Sequence, residues 1–207
     1  MDLKNSVVVK SPNKKELNSS KSQHNILSAA CVLFAKNGFD GTTSREIAEA
    51  AGCSEGLIFK YFKDKKTLFN TLVIDWVKQC ISELEALPTT TSLADELDLL
   101  LNCFFDIYED KADLNKIYIS QRFNGNKHDD LSQYRNSYVA KRNEIALARL
   151  KKYQENGELN KDIDIIQLLE LFQGYALVEV LFRDMDPTQK NIKIKSLVDL
   201  MLGGIKK

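Results

Sequence analysis

Three prolines and nine glycines in 207 residues are too few breaks for the many short strands of a β-sandwich or barrel. No run of eighteen apolar residues occurs, so no membrane-spanning helix is expected, and the first residues lack the apolar core of a signal peptide. Cysteine and histidine are sparse. Cys31, Cys53, Cys80 and Cys103 stand far apart without a Cys-x-x-Cys pair, and His24 and His128 are the two histidines. That spacing argues against a zinc site and for reduced thiols in a cytoplasmic protein. No charge of one sign is in excess, since 29 basic residues face 29 acidic ones, so no global field announces a nucleic acid or a membrane. Gly-rich phosphate loops, metal-ligand spacings and a Gly-x-Ser-x-Gly elbow are all missing. Neither an enzyme, a cofactor nor a bound metal is expected.

What is there is helical periodicity, in a chain whose 43% hydrophobic content can bury a sizeable core as one domain or two. Residues 1–20 are polar and read as a flexible arm. From Lys21 onward, Ile26, Ala29, Ala30, Leu33 and Phe34 share one helical face, and Asn37-Gly38 ends that helix. Two short helices fill residues 42–62, after which Asp64 caps a longer one. "LPTTTS" at 87–92 breaks it. Residues 93–109 are apolar on nearly every side, as for a helix in the middle of a bundle. Helices near 112–123, 130–155, 163–183 and 188–203 complete the chain, the last two separated by Asp186-Pro187. The expected fold is all-α, with nine helices in two domains. A three-helix head occupies 21–65 and a helical bundle 66–207.

The short pair poses the functional question. Thr43 and Glu46 fit a capping box, Ala48 is small, Gly52 suits a left-handed turn, and Ile58 returns an apolar side chain to the shared core. Small residue, glycine turn and apolar anchor at this spacing predict a helix-turn-helix, whose second helix is free to lie across a surface. Ser54 at the head of that helix, Gly56 in its first turn, and Lys60, Tyr61 and Lys65 at its exit suit phosphates and a groove wall. Two rivals remain at this point: a small helical hairpin with a solvated face, and a helical binding protein that never meets DNA.

Residues 26–69, "ILSAACVLFAKNGFDGTTSREIAEAAGCSEGLIFKYFKDKKTLF", closely resemble the N-terminal domain of the tetracycline-repressor (TetR) family of bacterial transcription regulators. Ala30, Leu33, Phe34, Gly38, Thr43, Ile47, Ala48, Ala51-Gly52, Ser54, Gly56, Phe62, Lys65 and Leu68 carry the match. The resemblance implies a homodimer that binds a near-palindromic double-stranded DNA operator and represses. It puts Thr43 and Ser44 at the start of the second helix, with Thr43 on a phosphate. Ser54, Glu55, Gly56 and Leu57 would face the major groove, with Phe59, Lys60, Tyr61 and Lys65 along the exit. Phe59 departs from the family's usual tyrosine, which removes a hydroxyl contact. Tyr61 replaces a common histidine. Glu55 repels phosphate yet can accept from cytosine N4, so both a solvated and a base-reading role stay open.

In the bundle, residues 165–182 are apolar on more faces than one partner helix covers, and Gly174 permits close packing. With the last helix they suggest a dimer interface through Leu171, Gly174, Tyr175, Val178, Leu197 and Met201. A pocket for an unknown small-molecule effector is expected among the middle helices, from Trp76, Phe104, Phe105, Tyr108, Tyr118 and Tyr138, with Gln121, Arg122 and Tyr134 as polar tips. Arg122 is the candidate handle for an anion.

Overall fold

The computed structural model describes residues 14–110, 112–123, 131–183 and 186–205, and every regular element among them is helical. In chain order these are α1 (Lys14–Asn37), α2 (Ser44–Ala50), α3 (Glu55–Phe62), α4 (Lys65–Ala86), α5 (Leu93–Asp110), α6 (Ala112–Phe123), α7 (Ser132–Glu155), α8 (Ile165–Phe182) and α9 (Pro187–Ile205). Internal contacts divide the chain into Met1–Phe69 and Asn70–Lys207, so the boundary falls inside α4.

The first helix begins seven residues before the expected Lys21, inside the stretch read as an arm. No proline or glycine separates Pro12 from Gly38, so nothing in the backbone stops the helix earlier. Residues 1–13 of that arm lie outside the described residues. At the other end of the chain, α9 opens at Pro187 itself, where a missing N–H is harmless. Asp186 caps it by accepting from the Thr188 amide at 2.9 Å.

In the first unit Ile26, Ala30 and Phe34 of α1, Ile47 and Ala48 of α2, and Ile58 and Phe62 of α3 are all buried, with α1 packed on α2 and α2 on α3. Phe34, Phe39 and Phe69 add an aromatic triad with ring centroids 5.3–5.6 Å apart. In the second unit α5 is the central helix and packs against α6, α7, α8 and α9. Its Leu97, Leu100, Leu101, Phe104 and Phe105 are fully buried or nearly so, as the all-round apolar sequence required. No described helix is long and apolar enough to cross a membrane.

Candidate functional site

The connection between α1 and α2 is held from within. Buried Thr42 donates its hydroxyl to the carbonyls of Gly38 and Leu33, 2.8 and 3.1 Å away. A side chain at Gly41 would put its Cβ 2.3 Å from the Asn37 carbonyl oxygen, a clash with backbone that only glycine avoids. Lys65 closes the same turn. Its ammonium donates to the carbonyls of Phe39 and Thr42 at 2.8 Å each and lies 4.5 Å from the Phe39 ring centroid. Two of its three donors are thereby committed to the interior of the unit.

Thr43 opens α2 in a complete capping box. Its amide and its hydroxyl both donate to Glu46 Oε2 at 2.8 Å, and its hydroxyl oxygen accepts from the Glu46 amide at 3.2 Å. The Thr43 amide first, then its hydroxyl, hold the Glu46 carboxyl below its usual range. No hydrogen of Thr43 is left for a phosphate while Glu46 keeps both, so that contact is not poised in the free chain. A Schellman turn then ends α2: Gly52 sits at φ +66°, its amide reaches Glu49 O at 3.2 Å, and the Cys53 amide reaches Ala48 O at 3.0 Å.

Ser54 is the N-cap of α3 by backbone position, but its side chain makes no cap hydrogen bond. Four α3 residues, Glu55, Gly56, Phe59 and Lys60, are exposed, while Ile58 and Phe62 hold the inner face and Leu57 lies between. A Cβ at Gly56 would meet nothing within 4 Å, so no internal contact explains a glycine there. Phe59 is 48% exposed, a large apolar ring without a core role. Tyr61 is half-buried, edge-on to Phe62, with Lys60 Nζ 5.8 Å from its ring centroid.

Two features escaped sequence reasoning. Arg45 lies exposed beside Ser44 on α2, paired with Glu49 at 3.1 Å, and is the lone cation between Thr42 and Phe59. Lys63 takes φ +65° and ψ −50° between α3 and α4, bridged by a 2.7 Å bond from the Asp64 amide to Phe62 O. That is the strained form of γ-turn.

The second unit contains a cavity of about 210 Å³. Val73, Trp76 and Val77 of α4 form one wall, and Tyr108, Tyr134 and Tyr138 form others. Trp76, Tyr108 and Tyr138 line it together, whereas Phe104 and Phe105 are core residues that do not line it. Both are buried in the hydrophobic core of the bundle. Burial raises both phenols, that of Tyr108 to about 12 and that of Tyr138 further. The side chains of Tyr118, Gln121 and Arg122 lie outside the described residues. The polar residues that do line the cavity, Asn115, Arg142 and Gln173, went unnoticed, hidden in ordinary amphipathic sequence. Among the described residues no cluster of metal-ligating side chains occurs.

On α8, Leu171, Gly174 and Val178 are exposed at helical spacing and Tyr175 is half-buried among them, while Leu197 and Met201 of α9 are half-buried. Leu171 and Val178 are 61% and 42% exposed, and a Cβ at Gly174 would meet nothing within 4 Å.

Residues 26–72 match the sequence profile of "Bacterial regulatory proteins, tetR family". A 92-residue stretch, 44% of the chain, is 37% identical to the uncharacterized HTH-type transcriptional regulator YvkB of Bacillus subtilis, and spans 48% of that relative's length. The HTH-type transcriptional repressor KstR2 of Mycolicibacterium smegmatis is 24% identical over 87% of this chain and 88% of its own. In fold, the chain is similar to the transcriptional regulator FadR from Bacillus subtilis, solved in complex with stearoyl-CoA. The TM-score is 0.69, with 21% identity over 88% of this chain and 98% of that one.

Proposed function

We propose, from the match of residues 26–72 to the tetR family profile, that the chain is a cytoplasmic homodimeric repressor of that family, not an enzyme, which releases its DNA operator when a small molecule enters the cavity of the second unit. One observation carries the DNA-binding part. The outer face of α3, with Glu55, Gly56, Phe59 and Lys60, is exposed, while Ile58 and Phe62 and the Schellman turn fix how that face is presented. A helix so held suits a major groove, and Ser54, Leu57, Tyr61 and Arg45 flank it.

The relatives support the remainder. KstR2 is named a repressor, and the FadR structure holds stearoyl-CoA. The apolar face of α8 supports a second copy, which would supply the second recognition helix for a near-palindromic operator, about 34–36 Å away. The coupling runs through α4, which gives Val73, Trp76 and Val77 to the cavity and Lys65 to the α1–α2 turn. A coupling of ~1–3 kcal/mol between ligand and operator suffices for release.

Fluorescence anisotropy tests the DNA-binding part, with duplex DNA from directly upstream of the protein's own gene and a scrambled control at several salt concentrations. Wild type is expected to prefer the upstream duplex. Lys60→Ala is expected to lose about 1–3 kcal/mol if Lys60 reads a base. Arg45→Ala should weaken both duplexes alike and lower the salt slope by about one, as for a phosphate contact. Equal binding of wild type and Lys60→Ala to both duplexes would sink the reading.

A further inference from the structure

Arg142 is a buried cation. Its residue is 5% exposed, and among the described residues no carboxylate pairs with it. Its Nε and Nη2 donate to Asn143 Oδ1 at 3.0 and 2.7 Å, and Nη1 donates to Gln173 Oε1. Those bonds use three of five N–H groups, leaving one on each terminal nitrogen. Neutral amide oxygens solvate a guanidinium only partly, and an unpaired charge in such a place is unfavourable by several kcal/mol.

The surroundings repeat the same imbalance. Among the described residues, Asn115 Nδ2 and Gln173 Nε2 are buried donors without an acceptor. Asn115 is 2% exposed, and both residues line the same cavity as Arg142. A buried donor left without a partner is destabilising, so three such groups converging on one cavity call for an acceptor with several lone pairs. A carboxylate supplies two oxygens in the planar geometry that a guanidinium matches. The rest of the lining is apolar or aromatic, through Val73, Trp76, Tyr108 and Tyr138. About 210 Å³ is smaller than most drug-sized pockets and somewhat larger than an apolar cavity that holds benzene, ~150 Å³.

We propose that the effector is a small organic acid, a carboxylate on a body the size of one aromatic ring, held by Arg142, Asn115 and Gln173 with its ring against Trp76 and Tyr138. The inference rests on the reading of the second unit as effector-binding, and it fixes the charge and size of the ligand. A cationic ligand would instead be repelled by the Arg142 guanidinium.

Trp76 is the chain's single tryptophan and forms part of the cavity wall, so its fluorescence reports occupancy directly. The full chain is titrated with phenylacetate, with neutral phenylacetamide and with cationic phenethylamine, up to roughly 10 mM, where even weak ligands register. Saturable quenching by phenylacetate is expected, with the amide weaker by about tenfold or more. Gln173→Glu places a carboxylate of the same shape on Arg142, and its fold is checked by circular dichroism. It should melt higher than wild type and lose phenylacetate affinity by about tenfold or more, because the guanidinium already has its anion. Undiminished phenylacetate binding by Gln173→Glu overturns the proposal. So does equal binding of acid and amide, which leaves an effector-binding cavity in place but removes the anion site. Absence of any change with all three compounds also overturns it, while the DNA anisotropy experiment decides separately whether the chain is a regulator.

Discussion

At Thr43 and Glu46 a single pair of side chains sets the start of a helix and removes a hydrogen-bond donor from the surface. The carboxylate accepts from the amide and the hydroxyl of Thr43, and those bonds lower its protonation range. A group whose folded value is depressed adds stability above its unfolded value and loses it as pH falls through the folded one. The capping box should therefore be at full strength at neutral pH and weaken below the ordinary glutamate value of about 4.5. Glu46→Ala is expected to lower the melting temperature at pH 7, with the gap to wild type shrinking at acid pH; scanning calorimetry at both pH values reads this. Asp64, lowered by the Thr67 amide and then its hydroxyl, titrates with the same sign and belongs to both proteins, so it cancels from the comparison. Lys65 shows how a residue of the right type can serve elsewhere. Its charge and position suggested phosphate, and only the positions of the Phe39 and Thr42 carbonyls reveal its structural duty.

Elements in the bundle are tied by buried charges that no linear pattern announces. Glu96 of α5 is fully buried and accepts from Arg149 Nε at 2.5 Å, with Lys152 Nζ at 3.8 Å and the Thr90 hydroxyl also upon it. Arg149 continues to the carbonyls of Leu87 and Pro88 at 3.1 and 2.7 Å, so this one carboxylate joins α5, α7 and the loop between α4 and α5. Removing one partner of such a pair strands the other. Glu96→Ala should lose about 3–5 kcal/mol in chemical denaturation. The Glu96→Ala/Arg149→Ala double variant should lose less than the sum of the two single variants. Helix boundaries, by contrast, were largely legible in the sequence. The loop at 87–92, Asp164 before α8, and Gly38, Gly52 and Gly157 at positive φ are local signals with local causes.

For the whole molecule the exposed apolar face of α8 is the feature that bears on assembly. Leu171 and Val178 are exposed one above the other on a helix whose opposite side is core, and Gly174 between them lets a second backbone approach. If the proposed dimer uses this face, wild type sediments at twice the chain mass. Leu171→Glu/Val178→Glu should then sediment as a monomer with unchanged helical content and reduced affinity for a two-half-site operator. A double variant that stays dimeric removes this face from the proposal.

The sequence by itself determined what depends on near neighbours: an all-helical chain, the places where helices start and stop, the tight turn between α2 and α3, and the exposed character of α3. Each follows from spacing along one helix or from a cap within four residues. Tertiary structure alone decided which polar side chains converge. Arg142 and Gln173 are 31 residues apart, Glu96 and Arg149 53 apart, Lys65 and Phe39 26 apart, and every one of these pairings depends on how distant helices pack. The same reason explains the cavity. Phe104 and Tyr108 lie one turn apart on α5, yet one is core and the other wall, because α4 and α7 stand beside the second and leave space there. A helix carries its caps and its apolar face in its own sequence, whereas a binding cavity is the space that several helices leave between them.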